Sequence, residues 1–245
     1  MVKTIDISCD LGEGIGNDQQ LMPLISSCSI ACGGHYGDET SIYEALLLAK
    51  KFNVKVGAHP SFPDKPNFGR VPLTMTSEAL SETIVSQIKL FEIICKKLDM
   101  SMHHVKLHGA LYNLAATDTA VAKAVIAALK NCKFKAALYV PPHSVIGKLA
   151  KSDVELIYEA FIDRRYNPNL TLVSRAHNKM AIITNPEDAW MQLKNMIFDQ
   201  KVLTSNGSFQ AIEATTFCLH GDHPQAVELL KYIHKQLQIN SITLS

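Results

Sequence analysis

Four separate apolar runs in this chain each stop at a histidine that has glycine or proline beside it, and this repeated ending constrains the fold more than any other feature. The runs are Ser29-Ile-Ala-Cys-Gly-Gly-His35, Val54-Lys-Val-Gly-Ala-His59, Val105-Lys-Leu-His108 and Phe217-Cys-Leu-His220. Short apolar runs bounded by turn formers read as strands buried on both faces, the kind a parallel sheet uses. The histidines therefore stand at strand exits. A fifth run, Ile5-Asp6-Ile7-Ser8-Cys9-Asp10-Leu11-Gly12-Glu13, delivers carboxylates instead. If the strands are parallel neighbours, all five exits meet on one edge of the sheet, where α/β folds place their sites.

Helices follow the exits with readable starts. Asp38 precedes Ala45, Leu46 and Ala49. Thr76 and Ser77 precede Leu80, Ile84, Ile88, Phe91, Cys95 and Leu98 at three-to-four spacing. Asn185 with Pro186 opens a run through Trp190, Leu193 and Ile197, and Pro224 opens one through Val227, Leu230, Ile233 and Leu237. Further strands are predicted over Ala136–Val140, Glu155–Phe161 and Met180–Thr184. Such alternation predicts an α/β fold with right-handed crossovers. Roughly seven or eight parallel strands at this length predict a (β/α) barrel, with a doubly wound open sheet as the alternative. No linker or low-complexity tract divides residues 1–245, so one domain is expected. Two segments break the rhythm. His59–Met75 holds Pro60, Pro63, Pro66, Pro72 and Gly69 and reads as a rigid loop over the mouth or a surface excursion; Asn167–Lys179 is similarly irregular.

The 24 Lys and Arg nearly balance 23 Asp and Glu, so no global field draws nucleic acid or a membrane surface. An acid at position 6 precedes any signal-like stretch and no apolar run approaches membrane-spanning length, which predicts a cytoplasmic chain. The six cysteines form no Cys-x-x-Cys pair and read as core packing.

Asp10, His59 and His108 offer one carboxylate and two imidazoles, a mix that can hold a catalytic divalent metal; the same groups also suit metal-free acid–base work. His35 and His220 each stand near a Gly-Asp turn, ending at Asp38 and Asp222. Those aspartates either orient an imidazole or cap the next helix. Glu159 and Asp163, at another exit, are further acid–base candidates. Lys106, inside an apolar strand, requires an anionic partner. With Arg70 and Arg164 it marks a site for a small anionic substrate, whereas Arg175 reads as surface charge. No P-loop, nucleophile elbow or dinucleotide fingerprint is present.

Asp6-Ile-Ser-Cys-Asp-Leu-Gly-Glu13, Ile30-Ala-Cys-Gly-Gly-His35-Tyr-Gly-Asp38, Val56-Gly-Ala-His-Pro60 with Phe68-Gly-Arg70, His104-Val-Lys-Leu-His-Gly-Ala-Leu-Tyr-Asn113, Glu159-Ala-Phe-Ile-Asp-Arg164 and Cys218-Leu-His-Gly-Asp222 resemble the LamB/YcsF family, in order and over nearly the whole chain. Departures from its pattern are Ser8 for asparagine, Gly34 for an aromatic, Ser61 for glycine, Val71 for arginine and Leu107 for proline.

The resemblance implies a barrel like that of the glycoside hydrolase/deacetylase superfamily. It also implies one component of an ATP-dependent 5-oxoprolinase, which opens 5-oxo-L-proline to L-glutamate with two further subunits. ATP is then a cosubstrate, handled partly or wholly by those partners, since opening an unstrained lactam needs a driving force that carbonyl phosphorylation supplies. On this reading Lys106 and an arginine, with Asn113, hold the substrate. Asp10, His59 and His108 activate water or the carbonyl, and His35 and His220 carry protons. The alternatives are a stand-alone metal-dependent amidase or deacetylase and a non-catalytic lactam-binding subunit.

Overall fold

A computed structural model describes residues 3–132, 135–175 and 178–245. The first half runs β1 (Lys3–Leu11), α1 (Asp18–Leu21), β2 (Ser27–Ala31), α2 (Glu39–Phe52), β3 (Lys55–His59), α3 (Ser77–Lys97), β4 (Met102–Lys106), α4 (Gly109–Thr117) and α5 (Thr119–Cys132). The second runs β5 (Ala137–Val140), α6 (Val145–Ala150), β6 (Leu156–Phe161), α7 (Pro186–Asp199), β7 (Lys201–Leu203), β8 (Phe209–Ala211), β9 (Thr216–His220), α8 (Ala226–Ile239) and β10 (Ile242–Leu244). Strands β1 to β6 lie side by side in chain order and all in parallel. Strand β9 pairs with both β6 and β1, closing a seven-stranded barrel. The eighth parallel strand, β10, extends the sheet along Lys3–Ile5 of β1. Closure removes the open edges of the doubly wound alternative. A small antiparallel hairpin, β7–β8, stands apart from the barrel.

The helix starts follow from side-chain caps. Asp38 and Ser41 form a reciprocal capping box on α2, while Thr76 caps α3 through Ala79 N and Asn185 caps α7 ahead of Pro186. Helix α8 begins at Ala226, two residues beyond the predicted proline start. The predicted strand over Met180–Thr184 is instead a short 3₁₀ turn at Lys179–Ala181 followed by a single bridge, Arg164 to Ile182. Its residues are spent tying down the chain after β6: Arg165 N bonds Ala181 O, and Ile183 N bonds Asp163 O. The apolar spacing of α3 buries Leu80, Ile84, Ile88, Phe91 and Cys95 as predicted. All six cysteines are free thiols, five of them buried.

The strands alternate. Ile5, Ile7, Cys9 and Leu11 of β1 join the apolar core beneath the helices, whereas Asp6 accepts hydrogen bonds from Ser27 (2.7 Å) and Thr216 (2.7 Å) on the two neighbouring strands. One level up, Ser29 Oγ lies 3.1 Å from His104 Nε2, whose ring stacks on Tyr139 at 3.9 Å. Above that, Asp10 meets Lys106. The barrel therefore has a polar lumen in layers, and each layer places its last groups nearer the mouth.

His104 occupies so much of the middle layer that Gly57, facing it from β3, has no room for a side chain. A Cβ there would lie 2.4 Å from the imidazole. Gly57→Ala is expected to cost about 1–3 kcal/mol by overpacking, measured by urea unfolding. His104→Ala in the same chain should be less harmful than the two single losses added together. Simple additivity would show that the ring is not the obstacle.

Candidate active site

Three of the four strand-ending histidines converge. His35 Nε2 lies 2.9 Å from Glu13 Oε1, His108 Nδ1 lies 3.3 Å from the same oxygen, and His59 Nε2 lies 3.9 Å away. His35 and His108 stack at 3.6 Å with their planes 6° apart, and all four residues are buried. The fourth histidine, His220, leaves the group and joins Asp163. Its Nδ1 is 3.0 Å from the carboxylate and its backbone N donates to the same group. The expected centre of Asp10, His59 and His108 is thus rearranged: the gathered donors are Glu13, His35, His59 and His108. Asp10 stays one layer lower, its Oδ2 3.4 Å from His59 Nε2, because it is engaged by Lys106.

Hydrogen bonds fix the imidazole tautomers. His59 Nδ1 lies 2.8 Å from Lys106 O, and His108 Nε2 lies 3.0 Å from Phe68 O. A carbonyl oxygen only accepts, so both of these nitrogens carry protons. The remaining nitrogens, His59 Nε2 and His108 Nδ1, then face each other at 3.0 Å with lone pairs. Two facing lone pairs repel unless something positive lies between them. Four donors on a tetrahedral zinc would stand about 3.3 Å apart, and the separations here bracket that value. The donor set fits a divalent metal. Burial lowers the pKa of both His35 and His108 against the pull of Glu13, which favours the neutral, ligating form. Burial would raise the Glu13 carboxyl, but the adjoining His108 and His35 imidazoles hold it well below the usual range.

The Pro-rich loop after β3 crosses this mouth. His108 N bonds Pro60 O, Ala110 N bonds Gly69 O, and Phe68 O holds His108. Gln87, from the buried face of α3, anchors the loop at its start by bonding both the N and the O of Ser61. Gly69 adopts φ +63, and a Cβ there would sit 2.9 Å from His35 Cβ and 3.1 Å from His108 Cδ2, so only glycine passes this close to the rings.

Lys106 does not reach toward a substrate. Its ammonium contacts Asp10 (2.8 Å), Glu159 (2.9 Å) and Cys218 Sγ (3.1 Å), and an ammonium has three donors. Burial would lower its pKa, but Asp10, Cys218 and Glu159 raise it well above the ordinary value. Glu159 also accepts from Tyr112 OH at 2.9 Å, and burial raises its own pKa. Lys106, expected to hold a substrate carboxylate, lies buried between Asp10 and Glu159 and is not among the residues lining the cavity. Asp163 resists its burial through His220 and stays well below the usual carboxylate range. With Nδ1–H of His220 committed to Asp163, Nε2 is the nitrogen left without a hydrogen bond among the described residues.

A cavity of about 910 Å³ opens beside the mouth. Its lining includes Arg70, Asn113, Glu159, Arg164 and Arg175. Asp222 caps no helix; it pairs with Arg70 and lies 3.7 Å from Arg175. Arg175, read from the sequence as surface charge, thus belongs to the site. Glu13 ends the fifth run but was not singled out there as a metal donor, and Gln192 is a lone polar residue on the apolar face of α7. Its Nε2 bonds the carbonyls of Phe161, Ile162 and Arg164, fixing the β6 exit. A second hollow, of about 890 Å³, lies at the opposite end of the barrel and contains none of these residues.

Relatives carry the same architecture from end to end. The chain is 38% identical to a 5-oxoprolinase subunit from Bacillus cytotoxicus, with 98% of this chain and 97% of that one covered. It is 36% identical to the corresponding 5-oxoprolinase subunit from Symbiobacterium thermophilum, covering 99% and 95%. Its fold superposes on the crystal structure of a lactam utilization protein from Thermus thermophilus with a TM-score of 0.91, 34% identity and 98% of each chain covered. A GH18 chitinase from Flavobacterium johnsoniae, at 10% identity and a TM-score of 0.51, shares the fold alone. The LamB/YcsF family pattern matches residues 5–245, and the chain belongs to that family.

Proposed function

We propose that this chain is the lactam-handling component of an ATP-dependent 5-oxoprolinase, which opens 5-oxo-L-proline to L-glutamate together with two further subunits. The observation that carries this reading is the end-to-end likeness to proteins bearing that enzyme's name, covering 95% or more of either partner in the two relatives above. The mouth supplies suitable chemistry. Glu13 Oε1, His35 Nε2, His59 Nε2 and His108 Nδ1 would hold a divalent metal. Such an ion supplies Lewis acidity toward a carbonyl or lowers the pKa of a bound water. His220, oriented by Asp163, exchanges protons at Nε2 with the attacking water and the departing ring nitrogen. Lys106 is a positioning residue that fixes Asp10 and Glu159. The arginine-lined cavity takes the anionic substrate, with Arg70, Arg164 and Asn113 at its wall. With no phosphate-cradling motif in the chain, ATP is handled by the partner subunits.

The histidine cluster also suits a metal-dependent amidase that works alone, and ATP dependence separates the two. Glutamate release from 5-oxoproline is expected only with ATP and the partner subunits present. Release by this chain alone without ATP would establish the amidase. Within the complex, His220→Ala should lower kcat by about 10²- to 10⁴-fold, measured in the same glutamate assay with folding checked by circular dichroism. An unchanged kcat would remove His220 from the chemistry.

Elemental analysis after dialysis against zinc should find about one ion per chain. His59→Ala with His108→Ala should abolish it. Protons compete with a metal for imidazole, so binding weakens on acidification. Because burial holds His35 and His108 below the ordinary histidine value, that loss should come at lower pH than for an exposed histidine cluster.

A further inference from the structure

Seven strands close the barrel, and six of their exits carry a group already placed at the histidine cluster or on the cavity wall. These are Glu13 after β1, His35 after β2, Arg70 after β3, Asn113 after β4, Arg164 after β6 and Asp222 after β9. The exit of β5 has been given none. Yet its run, Ala136-Ala-Leu-Tyr-Val-Pro-Pro-His143, is a further apolar stretch that stops at a histidine behind proline. His143 lines the same cavity, at the strand exit flanked by those that supply Asn113 and Arg164.

The backbone there is held in a conformation that works against stability. His143 has φ +61, in the left-handed region that disfavours a residue with a Cβ. Ser144 N bonds Pro141 O across a β-turn. Its second residue, Pro142, has a ring that excludes positive φ, so His143 is the third residue of a type II turn, a place that glycine fills without strain. The chain is committed beyond the turn as well, because the Ser144 side chain caps α6 through Gly147 N.

The other left-handed residues with side chains have local reasons. Asn53, Asp99, Gln200 and Ser241 end helices, the Phe68 carbonyl holds His108, and Leu170 packs against the core. His143 is exposed, and among the described residues its imidazole makes no hydrogen bond, ion pair or ring contact. A strained backbone that no contact of its own side chain offsets points to a ligand-facing position.

We propose that His143 is a substrate-binding residue: from the β5 exit its imidazole N–H donates to the carboxylate of the lactam in the cavity. This rests on the functional reading above and adds to it a contact that sets affinity.

Two measurements on the whole chain should move in opposite directions. His143→Gly relieves the turn, so its urea midpoint should rise, as should that of Gln200→Gly at the left-handed end of α7. In isothermal titration calorimetry with 5-oxo-L-proline and with L-glutamate, His143→Gly should bind about fivefold more weakly, the loss of one hydrogen bond. Gln200→Gly should bind both as the unaltered chain does. A substitution that only disturbed packing would lower stability and affinity together. A lower urea midpoint in His143→Gly overturns the proposal, because the side chain is then part of the fold. Unchanged affinity in His143→Gly also overturns it and leaves the lactam-handling reading intact. If the unaltered chain binds neither compound, that reading fails, and the ligand named for His143 fails with it.

Discussion

The ammonium of Lys106, sealed between Asp10, Glu159 and Cys218, is the contact on which the upper barrel depends. It joins strands β1, β4, β6 and β9 across the lumen at one point. A buried ion pair is a poor source of net stability against an apolar core, but removing one partner leaves an uncompensated charge and costs about 3–5 kcal/mol. The arrangement therefore specifies more than it stabilises. Asp10 and Glu159 are held in one position each, and the carbonyl of Lys106 orients His59 directly above. A hydrocarbon lumen would close the barrel as well and would leave the histidines without a floor.

Much of this was legible in the chain, and the losses have a physical pattern. Strand exits were legible because an apolar run ending in glycine or proline has few other readings. The inward direction of Asp6, Asp10, Lys106 and Glu159 is not legible in the runs, which read as apolar on both faces. In the folded barrel every second residue turns to a polar lumen, as with Ser27 and Ser29 beside Cys28 and Ile30. Glu13 escaped for another reason: it lies beyond the end of β1, where a period of two no longer says where a side chain points. Arg175 and Asp222 are distant in sequence and meet only through loops, so no spacing linked them. Gln87 and Gln192 did leave a trace, as lone polar residues on otherwise apolar helix faces.

Two departures from the family pattern prove to be one. A Cβ at Gly34 would stand 2.4 Å from Ser61 Oγ and 2.5 Å from Gln87 Oε1. The serine hydroxyl fills the space that a side chain at position 34 needs, so the serine at 61 and the glycine at 34 are packed as a pair. Ser8, the departure nearest the lumen, leaves its hydroxyl buried with no partner among the described residues.

Phe68, Gly69 and Arg70 are consecutive, and this has a mechanical consequence. The Phe68 carbonyl fixes which nitrogen of His108 bears the proton, and the Arg70 side chain reaches the cavity wall and Asp222. Between them Gly69 is wedged against two imidazoles with no spare volume. A three-residue segment so confined ties the guanidinium at one end and the imidazole at the other to a single placement of the backbone.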